Sequence, residues 1–177
     1  GVKYNDEDHY ALDGNRLMGF SGTYGQNGAE YRTELETYSK IISYRTSGTA
    51  PDYFVVWTKR GQIIEYGRTA DSRIELQGSS GTQAMISTWL VNKISDRFGN
   101  SIEFVYLENN ATGEFVIDKI KYGGNPDNGI PMKCEVRFGY RYDRKDKITK
   151  YLYPQKRYSL TRLLDKIEIY VENTKQY

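Results

Sequence analysis

Between residues 53 and 66 two apolar runs, Tyr53-Phe54-Val55-Val56-Trp57-Thr58 and Gln62-Ile63-Ile64-Glu65-Tyr66, flank the tripeptide Lys59-Arg60-Gly61. β-Branched and aromatic side chains suit a pleated surface, and a glycine at the tip supplies the backbone freedom that a short reversal needs. Residues 51–67 therefore read as a β-hairpin. The aromatic content points the same way, with Tyr 17 against Phe 6. A tyrosine ring packs on one side of a sheet while its hydroxyl reaches water or a backbone partner.

The pattern recurs along the chain. Ile86, Thr88, Leu90 and Ile94 precede Asp96-Arg97-Phe98-Gly99-Asn100, after which Ile102, Phe104 and Tyr106 alternate with Ser101, Glu103 and Val105. A strand at 115–122 leads through the turn-rich 123–131 to Cys134, Val136, Phe138 and Tyr140, again at period two, which excludes a helix there. Asp13-Gly14 and the Gly25-Gln26-Asn27-Gly28 stretch place hairpin turns in the N-terminal third. Two segments, 31–42 and 163–171, fit helical and strand spacing alike; the β-branched and aromatic run Ile167-Glu168-Ile169-Tyr170-Val171 and the all-β setting assign strand to both. Residues 142–158 read as an exposed loop or irregular hairpin. Asn92-Lys93-Ile94, Asp118-Lys119-Ile120 and Asp165-Lys166-Ile167 form a weak repeat, spaced too unevenly for a solenoid of fixed rise. The expectation is an all-β chain of sequential antiparallel hairpins forming one or two curved sheets, with little or no helix, in one domain over 1–177 whose last part, 143–177, extends the sheet.

At 177 residues the chain is long enough to bury roughly 70% of its unfolded surface. Its 25 basic and 23 acidic residues leave a net charge of +2, too small a field to favour nucleic acid or an anionic membrane. No apolar run is long enough for a membrane-spanning helix, and the start, Gly1-Val2-Lys3-Tyr4, has no signal-peptide core. One cysteine, Cys134, cannot form an intramolecular disulfide, and one histidine, His9, cannot build a metal site without carboxylate help.

Four blocks in order are more specific: Tyr10-Ala11-Leu12-Asp13-Gly14-Asn15-Arg16-Leu17, Gly28-Ala29-Glu30-Tyr31-Arg32-Thr33-Glu34, Glu65-Tyr66-Gly67-Arg68-Thr69-Ala70-Asp71-Ser72-Arg73-Ile74, and Trp89-Leu90-Val91-Asn92-Lys93-Ile94-Ser95-Asp96-Arg97-Phe98-Gly99-Asn100. From about Tyr10 to about Tyr142 this resembles the SpvB/TcaC amino-terminal region of toxin-complex B components and related Rhs/YD-repeat proteins. The resemblance implies a segment of a much larger secreted polypeptide, kept in the bacterial cytoplasm before release, whose strands wind into a hollow shell. It brings no catalytic, cofactor or metal residues. Where SpvB-like proteins carry an ADP-ribosyltransferase domain, that domain lies beyond the matched region. The implied partners are other segments of the same polypeptide and other toxin-complex subunits; separately, an isolated all-β chain of this kind exposes a strand edge, from which self-association is expected.

Several local features invite sharper readings. Glu34-Leu35-Glu36 has the E-x-E form of an ADP-ribosyltransferase, but the Arg and Ser-Thr-Ser that should precede it are missing, and on a strand Glu34 and Glu36 would share a solvated face with Arg32. The acidic run Asn5-Asp6-Glu7-Asp8-His9 lacks the glycine and distal glutamate of a calcium loop. Cys134 alternates with apolar neighbours and reads as a core residue, and Asn110-Ala111-Thr112 marks an exposed turn. Trp57, Trp89, Tyr53 and Tyr66 could bind a glycan or partner protein as exposed rings, the rival to a non-enzymatic scaffold.

Overall fold

The structure, a computed structural model, describes residues 8–48, 50–76, 85–152 and 156–176. The N-terminal strands are β1 (Ala11–Leu12), β2 (Asn15–Ser21), β3 (Glu30–Thr33), β4 (Lys40–Tyr44), β5 (Tyr53–Trp57) and β6 (Ile63–Tyr66). Next come β7 (Arg73–Leu76), β8 (Met85–Trp89), β9 (Val91–Ser95), β10 (Ser101–Asn109), β11 (Glu114–Gly124) and β12 (Cys134–Arg141). The last are β13 (Ile148–Leu152), β14 (Lys156–Leu160), β15 (Leu163–Val171) and β16 (Thr174–Lys175). Among the described residues helix is confined to the 3-10 turns Ala70–Ser72 and Pro126–Asn128. Among the described residues twelve strands form one sheet, in the order β1-β2-β3-β4-β5-β6-β9-β10-β11-β12-β15-β16, while β7-β8 and β13-β14 are separate ribbons.

Register gives the sheet two unlike faces. Tyr31, Ile41, Val56, Ile64 and Ile94 lie opposite one another in turn across five strands. One residue along, Glu65, Lys93, Glu103, Lys121 and Glu135 do the same, so opposite charges meet at each step. Cross-strand neighbours of opposite sign favour this register, and slipping by one residue would exchange the two faces. Leu17, Ala29, Tyr31, Ile41, Phe54 and Val56 form the buried core, with Tyr10, Leu12, Tyr24, Ile64, Tyr66 and Trp89 packed against it.

The hairpins at 51–67 and 91–109 and the strand at 163–171 are formed. Gly61 holds φ +80 at the first tip. Segment 31–42 is two strands, not one: Tyr38 takes φ 57, Thr33 Oγ1 lies 3.0 Å from Thr37 Oγ1, and the chain reverses between β3 and β4. The run from Ile86 to Ile94 is likewise broken at Leu90, where the chain passes from the β7-β8 ribbon into the main sheet. Leu90 N donates to Ser72 O at 2.8 Å and Leu90 O accepts from Gly67 N at 2.9 Å. These bonds satisfy its backbone outside either ladder. The segment expected as a loop or irregular hairpin over 142–158 instead holds Ile148–Leu152, which pairs with Lys156–Leu160 in regular antiparallel register. Cys134 is half-buried, not in the core, and the sequon Asn110 is half-buried at its turn.

Candidate interaction surface

Every fully buried apolar side chain among the described residues falls between Leu17 and Ile74. The apolar face nevertheless continues: Phe104 lies opposite Ile120, Ile120 opposite Val136, and Val136 opposite Ile169. Among the described residues nothing buries this second half completely. Ile102 is 40% exposed, Ile167 54% and Val171 39%, and Phe104, Ile120, Val136 and Ile169 are only half-buried. An apolar face that stays open over several adjacent strands is the mark of a surface that meets other protein.

The face ends at an open edge. β15 pairs with β12 from Leu163 to Val171 on one side. On the other, β16 reaches only Tyr170 and Val171, and Gln176 N donates to Ile169 O at 2.8 Å. Among the described residues no strand flanks residues 163–168 there, and Leu164 is 47% exposed. Charge partly guards this edge: Glu168 meets Lys166 at 3.1 Å and Lys175 at 2.6 Å, and Asp165 meets Arg141 at 3.4 Å. An unpaired strand edge otherwise recruits another strand.

β15 is tethered at its start by Glu114. The Glu114 carboxylate accepts the Thr161 N–H at 2.6 Å, the Arg162 N–H at 2.9 Å and the Thr161 hydroxyl at 2.7 Å. Burial opposes its charge, but these bonds and the Arg162 guanidinium prevail and hold the carboxyl below its ordinary value. Arg162 also donates to Leu107 O at 3.1 Å, which ties the strand start to β10. Sequence reasoning missed this residue.

The four aromatics singled out from sequence do not share one platform. Tyr53 and Trp57 project from β5 on the side opposite Phe54 and Val56, roughly 13 Å apart along the strand. Tyr53 stacks on Tyr44 at 4.7 Å and 8°, with the Arg68 guanidinium 5.4 Å above it, and Lys40 Nζ sits 5.9 Å over Trp57. Tyr66 lies opposite Phe54 in register, on the core side. Its hydroxyl pKa is pushed up to about 12 by burial, then by the Asp13 carboxylate. Trp89 packs edge-on to Phe54 at 5.1 Å and to Tyr10 at 5.5 Å, and its Nε1 donates to Pro51 O at 3.1 Å. A cavity of about 890 Å³ lies beside this cluster, between the N-terminal segment, β8 and the sheet.

The remaining candidates stay apart. Glu34 and Glu36 lie exposed in the β3-β4 reversal, off any strand, and Glu36 Oε1 accepts from Tyr38 N at 2.5 Å. His9 sits 5.1 Å from the Tyr24 ring, by the N-terminal strands, whereas Cys134 opens β12 towards the far side of the sheet. Residues 5–7 of the acidic run lie outside the described residues.

The sequence profile of the SpvB family, described as "Salmonella virulence plasmid 65kDa B protein", matches residues 3–165. No curated protein matches the sequence. The fold is similar to the N-terminal domain of effector protein SpvB from Salmonella typhimurium strain LT2, with a TM-score of 0.74 at 16% identity over 96% of this chain and 72% of that one. It is similar to a chain of the TcdB2-TccC3-Cdc42 structure, TM-score 0.73 at 17% identity, over 97% of this chain and 11% of that one. It also resembles part of the Photorhabdus luminescens Tc holotoxin pore, TM-score 0.68 at 17% identity, over 89% of this chain and 10% of that one. The chain thus spans about a tenth of the toxin-complex chains it matches.

Proposed function

The chain belongs to the SpvB family, and we propose that within it this domain is a non-catalytic scaffold, a wall segment of a large toxin-complex or Rhs-like virulence polypeptide. One observation carries the reading: among the described residues burial of apolar side chains stops at Ile74, yet the sheet and its apolar face run on to an open edge at β15. A sheet of this kind is completed by protein packed on its face and paired along its edge. Under this reading the cover comes from other segments of the same polypeptide and from neighbouring toxin subunits. The similar folds that recur inside Tc toxin structures support it. The domain would be exported with its parent.

The intact mass of the natural polypeptide tests the proposal, read by immunoblot of the source cells with an antibody against this segment. A band far above the mass of 177 residues supports a wall segment. A band at that mass removes the reading, because the open face would then have no parent to cover it.

A further inference from the structure

The cavity of about 890 Å³ beside Trp89 is within the usual size range of small-molecule sites. Its floor is the sheet core, where Leu17, Ile41, Phe54 and Val56 present only apolar side chains. Strand β8 forms one wall with Trp89, and the N-terminal strands form another with Tyr10 and Tyr24. The wall rings are fixed by what they touch. Tyr10 stacks on Tyr24 at 5.3 Å and 3°, and Trp89 stands edge-on to Tyr10 and Phe54. The Tyr24 hydroxyl accepts from Tyr10 N at 2.8 Å and donates to Leu17 O at 3.2 Å. A shape held by ring packing and backbone bonds exists before a ligand arrives, which spares binding the cost of ordering it.

Two polar groups on this cavity are uncommitted. Tyr66 lies opposite Phe54 on the core side and lines the cavity, and among the described residues its hydroxyl makes no hydrogen bond. The hydroxyl oxygen stays open to solvent, so a ligand can reach it. Asp13 sits on the rim, exposed at φ 49 in the turn between β1 and β2. Among the described residues its carboxylate has no ion-pair or hydrogen-bond partner. The two groups are neighbours, because after burial it is the Asp13 charge that pushes the Tyr66 hydroxyl pKa up to about 12. The hydroxyl therefore keeps its proton at neutral pH, and both groups offer lone pairs to an incoming donor. An anion finds no lysine or arginine in the lining. A cationic head suits the rim, and an apolar body suits the floor.

We propose that this cavity binds a small amphipathic amine, with the apolar body on the floor and the ammonium group at Asp13 and Tyr66. The site is separate from the open edge at β15 and does not rest on the scaffold reading. Phenethylamine is the probe, titrated into the 177-residue chain carrying Trp57→Phe, which leaves Trp89 as the single tryptophan and its emission as the readout. The amine should bind saturably. Phenethyl alcohol, with the same ring and no charge, should bind about fivefold more weakly, and phenylpropionate should not bind. Asp13→Asn, a residue type that also tolerates positive φ, should weaken the amine about fivefold and leave the alcohol unchanged, the difference of one exposed ion pair. Tyr66→Phe should weaken the amine about threefold, the loss of one ordinary hydrogen bond, and leave the melting temperature unchanged because the hydroxyl bonds nothing in the free protein. An amine that does not bind overturns the proposal, as do equal affinities for amine and alcohol, or an amine affinity untouched by both substitutions. A lower melting temperature in Tyr66→Phe also overturns it, since the hydroxyl would then serve the fold.

Discussion

Glu114 holds Thr161 with both oxygens of its carboxylate: Oε1 accepts the backbone N–H at 2.6 Å and Oε2 the side-chain hydroxyl at 2.7 Å. The two residues are 47 apart in sequence, and Glu114 is 2% exposed. Glu114→Gln keeps the shape but puts an NH2 where an acceptor must be, so one donor loses its partner and the charge assistance goes. Such buried bonds to a charged group contribute about 1.5–3 kcal/mol each, and removing one partner leaves the other unsatisfied. Glu114→Gln should therefore cost about 2–4 kcal/mol in urea denaturation. A cost within error of zero would show that the β15 start is held by other contacts.

The same carboxylate sets an acid limit. Its folded pKa lies below the ordinary 4.5, so its contribution to stability is complete above that value. It fades as pH falls from there through the folded pKa. Between neutral pH and about pH 3 the wild-type chain should lose more stability than Glu114→Gln, and the two denaturation curves should converge. Parallel curves across that range would exclude Glu114 as the titrating group.

Glycine position separates backbone strain from packing. Gly61 at φ +80 has nothing within 4 Å of where a side chain would begin, so Gly61→Ala should cost about 1 kcal/mol, the conformational term alone. Gly67 at φ +77 is buried, and a side-chain carbon there would collide with the Trp89 indole, whose Cγ would be 3.1 Å away. Gly67→Ala should cost about 3 kcal/mol and move Trp89 off Phe54, with a change in tryptophan emission. Equal costs for the two variants would mean that Trp89 yields freely.

How much of this was legible follows from what each residue depends on. The hairpin at 51–67 announces itself through adjacent residues, as do the alternating strands that flank Gly99-Asn100. The reversal inside 31–42 rests on Tyr38 at φ 57, a conformation that no residue type there signals. Tyr53 and Trp57 share a face by parity alone, but only register shows that Tyr66 sits opposite Phe54, on the other side of the sheet. Glu114 is one of 23 acidic residues until Thr161 and Arg162 are folded onto it. Local pattern gives strands and turns, while long-range pairing decides which side chains meet.

The open edge makes the last prediction. Among the described residues, 163–168 have a strand on one side only, and within them Leu164 and Ile167 are 47% and 54% exposed. A second copy of the chain meets the requirements of that edge, because two antiparallel β15 strands can satisfy each other's backbone and cover these side chains. Sedimentation velocity should thus show concentration-dependent association of the isolated chain. The double substitution Leu164→Lys and Ile167→Lys puts charge on both contacts and should weaken association at least about tenfold, roughly 1.4 kcal/mol. Since both positions are exposed, the folding stability of the variant should stay within about 0.5 kcal/mol of the parent. That pairing separates a docking edge from a folding defect. A wild-type chain that sediments as a monomer at millimolar concentration would mean that the Asp165, Lys166 and Glu168 charges already keep the edge closed to other strands.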